Sequence, residues 1–498
     1  MSLRATRCLR PFASLLCIAT FAVGPARAQD SGIRTESLPT SAMLGYERVR
    51  LPGGEQMGLV GGSLLFDIGG NWGIGPAVYG AATGQRGGFF VGGVELQRRW
   101  ELSDGLSLAT GLYAGGGGGA SAPAGGGLML RPAVTLLKDL DRNLQAGISL
   151  SSVRFPSGHI ESHQIGLVLA WRGDFRHYTG GQPGERVTSN QASGLGFDRM
   201  LATVGRYELS DGSGRRIGLL GARAERRTGW DGLTVGLEAS AAASGDAAGY
   251  MEVLGSVGAS TAPLADTLPS WRVGVRVAAG LGGGGAVPTA GGALGKATAG
   301  TEWSPLPGWA VGAEVGVIRS ASGPLRARHA QVWIGLDLEP GLDGRSDPTG
   351  PVIRTEWVGS LQHHVRSQRQ DGTHAALDTI GLKLNRYVGD NLYLSGQAHS
   401  AFNGGAGAYS IGMVGVGVAT TPAQPQRFGA ELLVGAAGGG GVSTAGGRVT
   451  QALAWAGWTQ SPQSEWRLGL GSLHSQRGGL NSPVLELSWS RAFGMAGR

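Results

Sequence analysis

The residue types that perform hydrolysis occur close together at one place in the chain. This stretch contains Ser157, His159, Glu161, Ser162 and His163. A hydrolase needs a nucleophile, a base and a group that orients the base, and these residue types supply all three. Two related stretches later in the chain lack these residues. This difference is explained equally well by sequence variation in a surface loop and by activity at only one of the three stretches. We therefore predict that the protein is not an enzyme and has no catalytic residue.

A second set of polar residues projects from one face of the predicted strands, opposite the apolar side chains. Rings of charge inside a pore set its preference for ions or solutes. The same groups on a water-filled wall are simply solvated, and the sequence leaves both interpretations open. The predicted lumen-facing polar residues are Glu95, Arg99, Glu238, Glu314, Lys383, Gln397 and Arg467.

Runs of four glycines occur three times, at Gly116 to Gly119, Gly282 to Gly285 and Gly438 to Gly441. Each run is followed by a short segment of small residues and a Gly-Gly pair. A phosphate-binding loop for nucleoside triphosphates would end in Gly-Lys-Ser or Gly-Lys-Thr before a helix, and Gly295-Lys296-Ala297 does not. We predict glycine-rich strand ends and loops with no cofactor. The histidines match no defined ligand spacing, so no metal site is predicted either.

The N-terminus has the pattern of a secretory signal peptide, which we assign to residues 1–28. Basic residues precede an apolar stretch from Phe12 to Val23, and Ala26-Arg27-Ala28 forms a small-x-small cleavage site. Both cysteines, Cys8 and Cys17, lie within this segment. The mature chain therefore has no disulfide and no cysteine ligand for a metal.

The composition is unusual for a soluble globular protein. Glycine accounts for 93 of 498 residues, and charged residues make up 15%, against about 25% in typical soluble domains. No apolar run in the mature chain approaches the roughly 20 residues of a membrane helix. The basic residues are scattered rather than arranged in a stripe, so we predict no nucleic acid partner.

Apolar residues alternate with polar or small residues in segments of strand length. In one such segment Ile380, Leu382 and Leu384 share a face, and Thr379 and Lys383 lie on the other. Eight segments of this kind recur in each of three copies, with turn signals between them. In the first copy they are predicted to begin near Gly45, Met57, Trp72, Gly88, Leu106, Gly125, Leu144 and His159. The sequence therefore predicts an all-β antiparallel fold of 24 strands.

The tryptophans identify the class of fold. If consecutive segments run up and down, eleven of them lie at one end of the sheet, while Trp333 and Trp455 lie deeper. Indole rings favour the membrane interface, so this sorting indicates a girdle around a transmembrane β-barrel. Phe89, Tyr250 and Tyr409 mark the opposite end less clearly. The predicted periplasmic girdle consists of Trp72, Trp100, Trp171, Trp230, Trp271, Trp303, Trp309, Trp357, Trp458, Trp466 and Trp489.

The last segment resembles the C-terminal insertion signal of Gram-negative outer-membrane β-barrel proteins. It runs from Pro483 to Phe493, alternates Leu485, Leu487 and Trp489, and ends in an aromatic residue. Five further residues follow it, which is a departure from the pattern. The resemblance implies a location in the cell outer membrane with both termini in the periplasm. The tryptophan-rich end is then periplasmic and the glycine runs face outward.

The three copies define the predicted domains. They are module 1 (43–172), a periplasmic joint (173–197), module 2 (198–338), a second joint (339–352) and module 3 (353–498). Small residues on the predicted inward faces would leave an eight-stranded barrel underpacked. A single barrel of 24 strands is therefore favoured over three small barrels, which remain the alternative.

Three functions follow from this architecture. The favoured one is a channel or export passage for small solutes or a polymer. The alternative is a non-conducting structural protein, adhesin or receptor made of three closed barrels, and the third is an outer-membrane hydrolase. The expected partners are outer-membrane lipid and the barrel insertion machinery, and the sequence names no transported solute or polymer.

Overall fold

The computed structural model describes residues 33–179, 185–188, 193–265, 267, 269–338, 349–422 and 424–497. The predicted signal peptide and parts of both predicted joints lie outside these residues. The described residues form 25 strands, β1 to β25, which pair antiparallel throughout. None of the helical structure in these ranges is long and apolar enough to cross a membrane.

The first eight strands close into one barrel. Each strand pairs with the next, and the last pairs with the first, which brings Glu47 opposite Gly166. Closure leaves no free sheet edge. The strands are β1 (Arg34–Arg50), β2 (Gln56–Gly69), β3 (Trp72–Thr83), β4 (Phe90–Ser103), β5 (Leu106–Gly118), β6 (Met129–Asp139), β7 (Leu144–Arg154) and β8 (Glu161–Thr179).

A second barrel follows, closed by the pairing of its first and last strands, with Thr203 opposite Trp333. A three-residue strand, β9 (Arg186–Thr188), precedes it and belongs to neither barrel. The strands of the second barrel are β10 (Arg199–Leu209), β11 (Arg216–Arg227), β12 (Leu233–Ser244), β13 (Met251–Ser260), β14 (Ser270–Gly283), β15 (Ala293–Leu306), β16 (Trp309–Ser320) and β17 (Arg326–Asp337).

The third barrel closes in the same way, with Gly359 opposite Trp489. The first residues of its first strand also pair with β9, from Thr349 to Pro351. Its strands are β18 (Thr349–Gln368), β19 (His374–Tyr387), β20 (Leu392–Asn403), β21 (Ser410–Ala419), β22 (Gln426–Gly438), β23 (Arg448–Ser461), β24 (Ser464–Ser475) and β25 (Asn481–Ala496).

The prediction of one 24-stranded barrel is therefore wrong, since each eighth strand returns to the first strand of its own copy. The inward glycines do not leave the small barrels underpacked, because they make room for aromatic rings. A Cβ atom on Gly61 would overlap the ring of Tyr79, and one on Gly312 would overlap Trp333. A Cβ atom on Gly429 would likewise overlap the ring of Trp455. A small residue opposite a large one fills a narrow interior.

The outward faces of the strands are apolar and exposed. In the first barrel Leu150 is 58% exposed and Leu167 67%, while their neighbours Ser149 and Ser151 are buried inside. The third barrel repeats this arrangement with Leu432 at 66%. Exposed apolar bands of this extent need an apolar environment around the barrels.

Candidate functional site: the barrel interiors and the contacts between barrels

The glycine runs lie at the contacts between barrels, at what we call the glycine end. The loop after β3 of the first barrel meets the run of the second barrel, where the Gly87 amide donates a hydrogen bond of 2.5 Å to the carbonyl oxygen of Ala290. The loop after β20 of the third barrel meets the run of the first, where the Gly407 amide donates to the Gly125 carbonyl at 3.2 Å. The runs thus join barrels rather than forming free loops.

The remaining contact of this kind joins the second and third barrels. Gly249, in the loop after β12, packs against Gly438 and Gly439 of the third barrel. Each barrel therefore presents the end of its third strand to the glycine run of another barrel, in the order first to second, second to third and third to first. A head-to-tail interface of this type that closes on itself forms a ring.

Side chains would obstruct these contacts. A Cβ atom on Gly88 would overlap the backbone nitrogen of Gly284, and one on Gly438 would overlap that of Gly249. At the third contact, a Cβ on Gly127 would overlap the carbonyl oxygen of Ala401. Glycine is required here for close approach of two backbones.

Aromatic residues join the first and third barrels at the opposite end, which we call the tryptophan end. The ring centroids of Phe66 and Trp357 are 5.1 Å apart, and those of Phe175 and Phe493 are 4.8 Å apart. Both pairs meet edge to face, a favourable geometry for aromatic rings. Phe493 is the aromatic residue that ends the segment resembling an insertion signal, and it packs against the first barrel. Strand β25 continues beyond it to Ala496.

The interior of the first barrel is closed by an ion pair. Arg131 donates to both carboxylate oxygens of Glu47 at 2.9 and 2.8 Å, and Ser151 donates to Glu47 at 2.7 Å. Tyr79 lies under the Arg131 guanidinium and donates to Glu95 at 3.3 Å. The cavity among these residues has a volume of about 30 Å³, which is room for one or two waters.

The interior of the second barrel holds one connected network of charges. Arg223, 1% exposed, donates to Glu314 at 2.7 Å and lies 2.9 Å from Glu225. Lys296 lies 2.6 Å from Glu238, whose other carboxylate oxygen is 3.8 Å from Arg223. Buried charges of this kind are tolerated because each has a partner of opposite sign.

Two groups of charges fill the third barrel. Lys383 lies 3.1 Å from Glu431 and 2.8 Å from Glu486. In the second group, the Arg467 guanidinium is 2.7 Å from Glu356 and 2.5 Å from Glu465. Arg427 contacts the same two carboxylates at 3.4 and 3.0 Å. The ring of Trp455 lies beneath Arg467 at 4.2 Å.

An apolar cluster closes each interior at the glycine end. Phe89, Tyr250 and Tyr409 belong to these three clusters and are at most 1% exposed. The prediction that they mark a second membrane interface is therefore wrong. Their rings point inward, because the period-two pattern places them on the face opposite the exposed side chains.

The structure places the predicted lumen-facing residues inside three separate barrels, where they do not form a common ring. Glu95 and Arg99 belong to the first barrel, Glu238 and Glu314 to the second. Lys383, Gln397 and Arg467 belong to the third. Six of them are buried, and Arg99 is partly exposed. Gln397 makes no side-chain hydrogen bond among the described residues.

Sequence reasoning missed the partners of these residues. Glu47, Arg131, Arg223, Glu356 and Glu431 are buried members of the same interiors. A signal was present in the spacing, because Arg and Glu two positions apart on a strand share a face. Arg223 with Glu225, and Glu465 with Arg467, are such pairs.

The eleven tryptophans of the predicted girdle all retain exposed surface, in contrast to Trp333 and Trp455, which are 7% and 4% exposed. Trp230 and Trp171 are the most exposed, at 77% and 57%. The strand register places Trp466 directly opposite both Trp458 and Trp489. These three tryptophans therefore share one level on the outside of the third barrel.

The candidate hydrolytic residues are engaged with the backbone. The Ser157 hydroxyl accepts a hydrogen bond from the Gly126 amide at 2.9 Å, and the Ser162 hydroxyl accepts one from the Arg50 amide at 3.0 Å. His159 and His163 are exposed. Among the described residues, no group of His, Cys, Asp and Glu side chains has the geometry of a metal site.

Comparison with known proteins gives distant similarities alone. No protein-family model matches the chain, and no curated protein matches it. Among solved structures, the chain is similar to the outer membrane protein OpdK of Pseudomonas aeruginosa, with 9% identity, a TM-score of 0.23 and coverage of 92% of this chain and 99% of that one. OccK11 of the same organism gives 10% identity, a TM-score of 0.23 and coverage of 92% and 96%. Superpositions with TM-scores this low do not establish a shared fold.

Proposed function

We propose that the protein resides in the outer membrane as a closed assembly of three eight-stranded barrels that does not conduct solutes. Exposed apolar bands, tryptophans at one end and the absence of a free edge in each described barrel support the membrane location. The tryptophan end then faces the periplasm and the glycine end the exterior. Lipid and the barrel insertion machinery are the partners that this location requires.

The observation that carries the closed state is the pairing of buried charges across every interior. Each group joins residues from several strands of one barrel, such as Lys383 of β19 with Glu431 of β22 and Glu486 of β25. A solute that passes through would have to separate these pairs in a medium of low dielectric constant. The apolar cluster at the glycine end closes the same interior a second time.

Recording in planar bilayers tests this proposal. The refolded mature protein should insert into lipid vesicles, shift its electrophoretic mobility on heating, and then show no steady conductance. A steady open conductance from fully folded protein would overturn the closed state. Protein that folds but stays out of vesicles would overturn the membrane location.

A narrow passage through the third barrel is a second candidate, supported by one observation. Its interior contains many buried polar side chains without partners among the described residues, which internal water would satisfy. In this case, wild-type protein shows a small conductance that Gln451→Leu reduces, whereas Gln331→Leu in the second barrel leaves it unchanged. The unpartnered side chains include His364, Thr379, Ser395, Gln397, Gln451, Ser488 and Ser490.

A further inference from the structure

A cleft of about 640 Å³ opens at the tryptophan end between the first and second barrels. One wall is the extension of β8 past Trp171, and the other contains the segment from Gly194 to Asp198 and the turn after β11. Its volume lies in the range of small-molecule sites, roughly 300 to 1,000 Å³. It is a different cavity from the one inside the first barrel.

Four arginines line the cleft, and two of them are without an ion pair among the described residues. Arg172 lies 3.1 Å from Asp139, and Arg227 lies 2.9 Å from Asp337. Arg176 and Arg226 line the same cleft, as does the exposed Asp174, and neither arginine forms an ion pair within the described part of the chain. A guanidinium donates two parallel hydrogen bonds to a phosphate, so two free guanidinium groups suit a phosphate diester.

The cleft also contains an acceptor in need of a donor. Asp198 is 4% exposed, and its Oδ2 atom accepts a hydrogen bond from the Arg227 amide at 2.9 Å. Its Oδ1 atom is buried without a partner among the described residues. A buried carboxylate oxygen without a donor is costly, and a primary ammonium group supplies both charge and donors.

Exposed tryptophans at the cleft favour a lipid as the source of the phosphate and the ammonium group. Trp171 lines the cleft and is 57% exposed, and Trp230 follows the lining residue Gly229 and is 77% exposed. Indole rings at such positions lie at the level of lipid headgroups. The cleft is therefore at the depth at which a phospholipid places its phosphate.

We propose that this cleft binds the phosphoethanolamine headgroup of a phospholipid, its phosphate on Arg176 and Arg226 and its ammonium on Asp198. The proposal rests on the outer-membrane location proposed above. Insertion into vesicles and the mobility shift on heating test that location separately. Protein that inserts but does not bind the headgroup would defeat this inference and leave the location intact.

Calorimetric titration of the full mature protein in detergent tests the site, with dihexanoyl phosphatidylethanolamine as the probe. We expect Arg176→Gln with Arg226→Gln to weaken binding about tenfold or more, since charge-assisted hydrogen bonds to phosphate are lost. Asp198→Asn should weaken binding of this probe but not of dihexanoyl phosphatidylglycerol. Arg142→Gln is the matched control, because Arg142 is an exposed arginine at the same end that does not line the cleft.

Three results would overturn the proposal. Equal affinity of the double variant and the Arg142→Gln control would show that Arg176 and Arg226 do not bind the phosphate. Equal affinity for the glycerol and ethanolamine lipids, with no effect of Asp198→Asn, would show that the site does not recognise the ammonium group. Binding of soluble phosphoethanolamine as tightly as the lipid would show that the ligand is a free metabolite. The two arginine changes are at exposed or partly exposed positions, so their result does not depend on whether Asp198→Asn folds.

Discussion

The second and third barrels have the same fold but stabilise their interiors differently. The second contains one connected network in which Arg223 alone contacts three carboxylates. In the third, charges form two groups, and neutral side chains without partners, such as His364 and Gln451, occupy much of the remaining space. An eight-stranded barrel of this size therefore specifies the shape of its interior but not the chemistry that fills it.

The largest expected effect is in the second barrel. Arg223→Ala would leave Glu314 buried without its closest cation and would remove one cation from Glu225, which keeps Arg276 at 2.5 Å. Loss of one partner of a buried pair costs about 3–5 kcal/mol. We expect a loss of this size in the free energy of unfolding, measured by urea titration of the protein in detergent. Arg216→Ala is the control, because the exposed pair between Arg216 and Glu208, 3.7 Å apart, should contribute no more than about 1 kcal/mol. Similar losses for both variants would contradict the buried network.

Lys383→Met in the third barrel should have a smaller effect. Lys383 contacts two carboxylates, Glu431 and Glu486, which retain hydrogen bonds from Tyr393 and Gln362. We expect a loss of about 2–3 kcal/mol in the same titration, at or below the lower end for buried pairs. Adding Glu431→Gln to this variant should recover part of the loss, since it removes one uncompensated charge. No recovery would mean that Lys383 stabilises the barrel mainly by packing.

The smallest expected effect is at a neutral position. Neither ring nitrogen of His364 has a partner among the described residues, so His364→Leu removes unsatisfied polar atoms. We expect a change within about 1 kcal/mol in either direction, measured by the same titration. His329→Leu, at an equally unpartnered histidine of the second barrel, is the matched comparison. A loss of several kcal/mol at His364 alone would indicate that internal water makes the third interior a true hydrogen-bond network.

Strand positions followed from the sequence because alternation and turn residues are local signals. The predicted starts near Met57, Trp72, Leu106 and Leu144 lie within one residue of the observed ones. The first strand was predicted near Gly45 but begins at Arg34. Its early residues lack alternation, and they are ordered by pairing with the extension of β8.

Closure of each copy could not be derived in the same way. It depends on whether the eighth strand pairs with the first strand of its own copy or with that of the next, and both strands carry the same alternating pattern. The inward glycines suggested an empty interior because the aromatic rings that cover them, such as Trp333 and Trp455, come from other strands. The ion pairs were likewise contacts between distant segments, for example Glu47 and Arg131.

The head-to-tail ring of glycine contacts has a consequence for the order of the barrels along the chain. Every barrel presents the end of its third strand to one neighbour and its glycine run to the other. The ring of glycine contacts therefore has no first member. With respect to these glycine contacts, the point at which the polypeptide starts is then arbitrary. A circularly permuted chain that begins with the second barrel and ends with the first would make the same three interfaces.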